Sequence, residues 1–407
     1  MTTQAVENNV DEVREAPIFD GDPFSMEALN DPHLYDGMAR ELGPVVYVEK
    51  YGYYAITQFA ELQKALRDWR KISSSDRPFY EKNPFRPTVL VLEDPPSHTV
   101  SKAAAMEVLS GDNLAKFEPY FKAEAEHLLD ELLADGPVEV DAFRDLAVRY
   151  VLKVFPDVLG LPEEGREALL TFGDGVFNVF GPANDFQKKK LERAAEAQDW
   201  IEINTERQLQ REGSIGHQLY KMADEEKMNE ETAQQILKSI FGAGFDTTTA
   251  GIASMLRAFA DNPGEWEKLL ANPDLIENAW EEAIRYYPAS RYGGRWAKKE
   301  VVLGGVRIPE GAQILTMWLG AGRDARQYPD PDTFKIDRDL AGGHLSFGFG
   351  IHTCAGNHIA RLEARTLLRA LVERVEKIEL VGEPRRALNY QAFGHEYVPV
   401  RLTPKKK

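Results

Sequence analysis

From about Asn229 to Ala260 the chain reads NEETAQQILKSIFGAGFDTTTAGIASMLRAFA, with apolar residues at helical spacing. At 1.5 Å per residue, roughly 30 residues make a rod of about 45 Å. A helix of that length crosses a whole domain, so the rest of the chain must pack around it. Its middle is unusual: Gly242, Gly244 and the successive threonines Thr247, Thr248 and Thr249 are weak helix formers. Hydroxyls that bond back to the preceding turn also bend helices. The sequence therefore predicts a helix interrupted at its centre, where function has overridden stability.

Other stretches carry the same three-to-four spacing: FKAEAEHLLDELLAD, FRDLAVRYVLKVFPDVLG and LERAAEAQDWIEINTERQLQ. Strand signals are fewer. GPVVYVEKYGYYAIT reads as a hairpin, and in EVVLGGVRIPEGAQILTM Gly304 and Gly305 suit a tight two-residue turn. The fold class is mainly α with minor β. With no internal repeat and no low-complexity linker, the expectation is a flexible tail over residues 1–17 and a single domain over 18–407 with a small sheet-rich lobe.

Charge limits the partners. Forty-nine Lys and Arg face 66 Asp and Glu, a net charge of −17, which disfavours nucleic acid and anionic membrane surfaces. An anionic ligand must then be met by a local basic pocket. The first thirty residues lack a basic segment followed by an apolar core, and no run approaches 18 apolar residues, so a cytoplasmic location is expected.

Cys354 is the one cysteine, in FGFGIHTCAG, and rules out an internal disulfide. Four roles are open to it: inert packing, a nucleophile, a zinc ligand or an axial thiolate to haem iron. Zinc needs more soft ligands than Cys354 and His352 supply, and a Cys–His nucleophile does not ordinarily sit among Gly348, Gly350 and Gly356. Packing and haem ligation remain. Those glycines let backbone approach a flat ligand. The amphipathic NHIARLEARTLLRALVERVE that follows puts Cys354 at a helix N-terminus, where a thiolate is favoured.

The stretch resembles the haem-binding loop of the cytochrome P-450 superfamily, F-x-x-G-x-x-x-C-x-G, with Phe347, Gly350, Cys354 and Gly356 in the fixed places. The resemblance implies the triangular, helix-rich fold of that family, haem b with Cys354 as the metal ligand, and monooxygenase chemistry. EDPPSHTVSK and GGRWA resemble the segments that contact the haem propionates, pointing to His98, Lys102 and Arg295, with His352 and Gly348 in the loop itself. Lys102 stands where the family often has Arg. EEAIR and PDPDTFKIDR resemble the buried structural triad, here Glu282, Arg285 and Arg338.

AGFDTT resembles the family's acid–alcohol pair, so Asp246 would relay protons and Thr247 would hold the activated oxygen. Its presence implies electrons from NAD(P)H delivered by a ferredoxin or ferredoxin-like reductase. Arg361, Arg365 and Arg369 offer that partner a docking face, or else a plain solvated one.

For the substrate, helical spacing places Ser239, Gly242, Ala243 and Asp246 on one stripe with Lys238 at its edge, about 12 Å from Ser239 to Thr247. VFNVFGP (Phe177, Phe180), PFRP with Arg86 and Thr88, and LKSIFGAGFDTT resemble bacterial enzymes that oxidise para-substituted benzoates. The departures are Val89 for Ser, Lys238 for Arg and Gly293 for an aromatic, with Arg291 as an added cation. A pocket with less bulk and more positive charge suits a doubly charged anion. The first expectation is a para-alkylphenyl phosphate of the cresol type hydroxylated at its alkyl carbon. The alternative is a benzoate such as 4-methoxybenzoate, hydroxylated or O-demethylated.

Overall fold

A computed structural model describes residues 13–75 and 89–406. The long helix spans Glu230–Asp261, with Asn229 accepting from Thr232 N as its cap. It runs unbroken, contrary to the expected interruption. Thr247 and Thr248 donate to the carbonyls of Ala243 and Gly244, at 2.8 and 3.0 Å. The hydroxyls thus add to the preceding turn without breaking the helix. Gly244 serves packing: a Cβ there would overlap the Phe155 ring of helix Arg149–Leu159. Only glycine lets these two helices approach so closely.

Helices Ala168–Asn178, Ile215–Asp224 and Ile276–Tyr286 surround this rod. Their buried faces, with that of helix Asn357–Arg374, form the main apolar core. Against it lies the sheet-rich lobe. Among the described residues its largest sheet has six strands, in the order Ile18–Phe19, Val45–Val48, Tyr53–Ile56, Gln313–Met317, Tyr292–Ala297 and Ile72–Ser73. Both expected hairpins form. Val45–Val48 pairs antiparallel with Tyr53–Ile56, and Val301–Leu303 with Val306–Ile308 through Gly304 and Gly305, whose φ values are 55° and 74°.

The chain joins the fold earlier than Pro17. Arg14 N donates to Gly305 O at 2.9 Å, and Arg307 N to Arg14 O at 3.1 Å. A tail ending at residue 17 is therefore too long by several residues. No helix among the described residues is long and apolar enough to cross a membrane.

Candidate active site

Cys354 sits three residues before the first residue of helix Asn357–Arg374. Its N–H donates to Phe347 O at 2.8 Å, closing a loop in which Gly348 and Gly350 take φ values of 71° and 72°. A Cβ on Gly350 would overlap Leu66 O, so side chains are excluded there both by backbone angle and by space. The thiol is exposed, while Asn357 after it and Leu345 before it are buried. Surrounding protein raises its pKa, opposed by the Gly356 N–H and by the charges of Lys102 and Arg361. It stays a thiol until a metal ion replaces its proton.

Beside the loop lies a cationic cradle. His98 and His352 have ring centroids 4.4 Å apart, and Lys102 donates to Thr353 O. Arg295 follows on strand Tyr292–Ala297. Burial holds both histidines neutral, His98 down to about 4. Asp94, which sequence reasoning missed although it stands in the quoted EDPPSHTVSK, lies beside His352. Its Oδ2 accepts from Ser73, Ser75 and Lys298 at 2.5, 3.0 and 2.6 Å, and its Oδ1 lies 4.0 Å from His352 Nε2. That Nε2 has no closer hydrogen-bond partner among the described residues. No cluster of three His, Cys, Asp or Glu there could hold a bare metal ion. One thiol plus donors for carboxylates fits a metal that brings its own equatorial ligands and acidic side arms.

On the long helix, Ala243 is exposed and Asp246 and Thr247 are partly buried. The Asp246 carboxyl is pushed well above the usual carboxylate range, by burial first and then by Asp174, with Lys190 opposing. Its surroundings thus favour the protonated form more than those of an exposed carboxyl do. Beneath, Glu282 and Arg285 are both 0% exposed and joined at 2.6 and 2.8 Å. Arg338 Nε meets both Glu282 oxygens at 3.1 Å. The two arginines also donate to the carbonyls of Gly322, Pro329, Pro331 and Thr333, pinning the meander that leads into the cysteine loop.

The sequence profile of the family described as Cytochrome P450 matches residues 140–386, more than half of the chain. The chain belongs to the cytochrome P450 family. It is 38% identical over 390 residues to "Cytochrome p450 CYP199A2" of Rhodopseudomonas palustris, covering 94% of each chain. It is 26% identical over 371 residues to "Biotin biosynthesis cytochrome P450" of Bacillus subtilis, covering 88% and 92%. Among solved structures, P450BioI in complex with an acyl carrier protein matches with a TM-score of 0.82 at 25% identity, over 93% and 100% of the two chains. Cytochrome P450 CREJ in complex with (4-ethylphenyl) dihydrogen phosphate matches with a TM-score of 0.83 over 94% and 99%; its 24% identity speaks to fold alone.

The chain is thus a monooxygenase of the haem-thiolate type, with electrons from NAD(P)H reaching it through a redox partner. Haem supplies dioxygen binding and activation. Cys354, the one cysteine of the chain, would ligate its iron, and His98, Lys102, Arg295 and His352 would be the donors available to its propionates.

The residues expected to bind substrate divide. Ser239 and Lys238 are buried on the long helix. Ser239 Oγ donates to Gln235 O at 2.8 Å, and Lys238 is paired with Glu202 of helix Asp185–Asn204. Arg291 does not join them. Its guanidinium meets Asp36 Oδ1 at 2.6 and 3.0 Å and the carbonyls of Pro23 and Ala28 at 3.1 Å, so it is a buried strut. Gly242 faces Phe172 and Val176 of the neighbouring helix and serves packing. Gly293 creates no extra room, because a Cβ there would stand 2.6 Å from the Trp318 indole. Phe177 is buried at the end of helix Ala168–Asn178, whereas Phe180 packs with Phe24 and Tyr292, at 6.2 and 6.5 Å. Arg86 and Thr88 lie outside the described residues.

Arg361 is also a strut, bonded to Glu281 at 2.7 and 2.9 Å and stacked over Phe347 at 4.6 Å. Arg365 and Arg369 are looser, 4.0 Å from Glu118 and 3.7 Å from Glu277.

Proposed function

We propose that this cytochrome P450 oxidises the para substituent of a monocyclic aromatic carboxylate, 4-methoxybenzoate being the representative. The observation that carries the reading is the buried Lys238–Ser239 pair, about 12 Å along the helix from Thr247. That span suits one benzene ring with an anion at one end and a small substituent at the other. The preference for a carboxylate over a phosphate monoester follows from Arg291. Its charge is taken by Asp36, which leaves Lys238 as the described cation on this stripe. A monoanion replacing Glu202 beside Lys238 keeps charge balanced, whereas a dianion needs a second cation.

In the reaction, one oxygen atom enters a C–H bond of the para substituent and the other leaves as water, with two electrons and two protons consumed. A hydroxylated methoxy group then loses formaldehyde. Asp246 supplies protons and Thr247 holds a hydroxyl at the reacting face. Anchoring of the carboxylate sets which carbon is presented.

Titrating the ferric protein with 4-methoxybenzoate, 4-methylphenyl phosphate and para-cresol, and following the spin-state change, tests this. Tightest binding is expected for the benzoate. If the phosphate binds more tightly, the dianion reading replaces it; if para-cresol matches both, no anion anchor exists.

A further inference from the structure

Away from the haem-facing site, three elements meet around a stacked aromatic pair. Tyr287 follows helix Ile276–Tyr286, and Phe393 precedes strand His395–Tyr397; their ring centroids are 6.1 Å apart. Around them stand His33 from helix Pro32–Leu42, Arg257 from the long helix, and Arg386 and His395 from the C-terminal hairpin. His33 lies 5.5 Å from Phe393 and 5.9 Å from Tyr287. Arg386 covers Phe393 at 3.6 Å, and Arg257 lies over Tyr287 at 5.7 Å.

The acids nearby are already used. Asp261 accepts from Arg257 Nε at 3.2 Å, and Asp332 from Arg323 Nη1 at 2.9 Å. Arg257 Nη1 also meets His395 Nε2 at 2.5 Å, so that ring is neutral and accepting. Arg386 has neither an ion pair nor a hydrogen bond to any described residue, although the charge of Asp31 reaches it. Its Nε is buried and unpartnered, as is Nε2 of His33. A guanidinium whose buried Nε lacks an acceptor is costly, and most buried donors in folded proteins are satisfied. In a chain of net charge −17, the orphaned Nε of Arg386 and the orphaned Nε2 of His33 together mark a place for a negative ligand.

We infer that Arg386, His33 and Arg257 form a binding site for a small oxyanion, distinct from the haem and substrate sites. Guanidinium geometry suits the paired oxygens of a carboxylate or phosphate, and the neutral His33 adds an N–H donor. The Phe393 ring beneath Arg386 fixes the plane of the fork. Arg257 is ten residues beyond Thr247, about 15 Å along the same helix. The hairpin carrying Arg386 also reaches the loop before Tyr292, through Phe393 N to Ala289 O and Arg291 N to Gln391 O, at 2.9 and 2.8 Å. A bound anion would therefore tie the hairpin, the long helix and the N-terminal helix together.

The test uses the haem-loaded protein at constant pH and ionic strength, with thermal unfolding followed as phosphate, acetate or chloride is raised. Phosphate or acetate should raise Tm in a saturable way, chloride far less. In Arg386→Gln the apparent Kd should weaken about tenfold or more, with the ferrous–CO spectrum unchanged. His33→Phe, which keeps the ring, should weaken it severalfold, whereas Arg385→Gln on the exposed neighbour should keep the full response. Equal responses in wild type and Arg386→Gln, no saturable response at all, or chloride as effective as the oxyanions would each overturn the site. Should Arg386→Gln fail to fold, His33→Phe against Arg385→Gln decides it.

Discussion

The Asp246 carboxyl rests on Gly173: a Cβ at position 173 would overlap Asp246 Oδ2. The acid of the distal pair thus owes its position to a missing side chain on the neighbouring helix. Gly173→Ala should swing Asp246 away from Thr247 while retaining its carboxyl group. Product formed per NADH consumed should fall about tenfold, with an altered solvent isotope effect. Asp246→Asn should cost about a hundredfold, in the range of a lost proton donor. Unchanged coupling in Gly173→Ala would mean that the orientation of Asp246 is immaterial.

The Glu282–Arg285–Arg338 triad makes a different prediction. Removing one charge from a fully buried ion network strands the others, at a cost of about 3–5 kcal/mol. Glu282→Gln should therefore abolish haem incorporation and lower the urea midpoint while helical content largely survives. Retention of the full pigment yield would assign the triad a smaller role.

What could be read from the sequence follows the range of the interactions involved. The cysteine loop, the acid–alcohol pair and the Glu282–Arg285 spacing are local patterns whose chemistry tolerates few alternatives. The hairpin around Gly304 and Gly305 is equally local, because the turn itself demands positive φ. Arg291 was misread because its partner Asp36 is 255 residues away, and a buried arginine looks like a ligand-binding one until that acid is placed. Arg361 failed likewise, its acid Glu281 being 80 residues off. The continuity of the long helix was missed because propensity counts threonine as a weak former, whereas these hydroxyls are satisfied within the helix. Asp94 was visible in a quoted motif, but its role emerges only when Ser73, Lys298 and His352 converge on it.

Asp94 carries a prediction of its own. Its hydrogen bonds hold its carboxyl below the usual range despite burial, so it is charged at every working pH. Asp94→Asn should leave the cysteine ligand untouched yet loosen His352 and the cradle. Haem transfer to apomyoglobin should accelerate by about tenfold, with the ferrous–CO band keeping its thiolate position. A shifted band would place the defect at Cys354 instead.

His395 is buried and its pKa is depressed to about 2, by burial first and then by Arg386 and Arg257. The unfolded chain binds a proton on this side chain below about pH 6.5, whereas the folded chain does not until far lower. Its contribution to stability is therefore complete above pH 6.5 and declines as pH falls. Asp246 and Glu363, whose pKa values are raised, act in the opposite sense, so the variant comparison isolates the histidine. His395→Gln keeps an acceptor for Arg257 but no titration. Urea unfolding from pH 6.5 to 4.5 should fall less steeply in the variant, by about 1.4 kcal/mol per pH unit. Parallel curves would show that His395 is not kept neutral by the fold.

The pair Lys238–Glu202 turns the substrate reading into a competition. Lys238 is 8% exposed and Glu202 is 43% exposed, so the acid can leave toward solvent while the cation stays inside. An incoming carboxylate must displace Glu202 before it meets the ammonium, and that displacement subtracts from its affinity. Glu202→Gln should remove the competitor and tighten 4-methoxybenzoate by about three- to tenfold in spin-state titrations, with the binding of uncharged para-cresol unchanged. Lys238→Met should weaken the benzoate by about tenfold or more and again leave para-cresol alone. The two variants moving the benzoate in opposite directions is the signature of an anchor. If Glu202→Gln weakens the benzoate instead, Glu202 positions Lys238 rather than competing for it, and the carboxylate must be held by other residues.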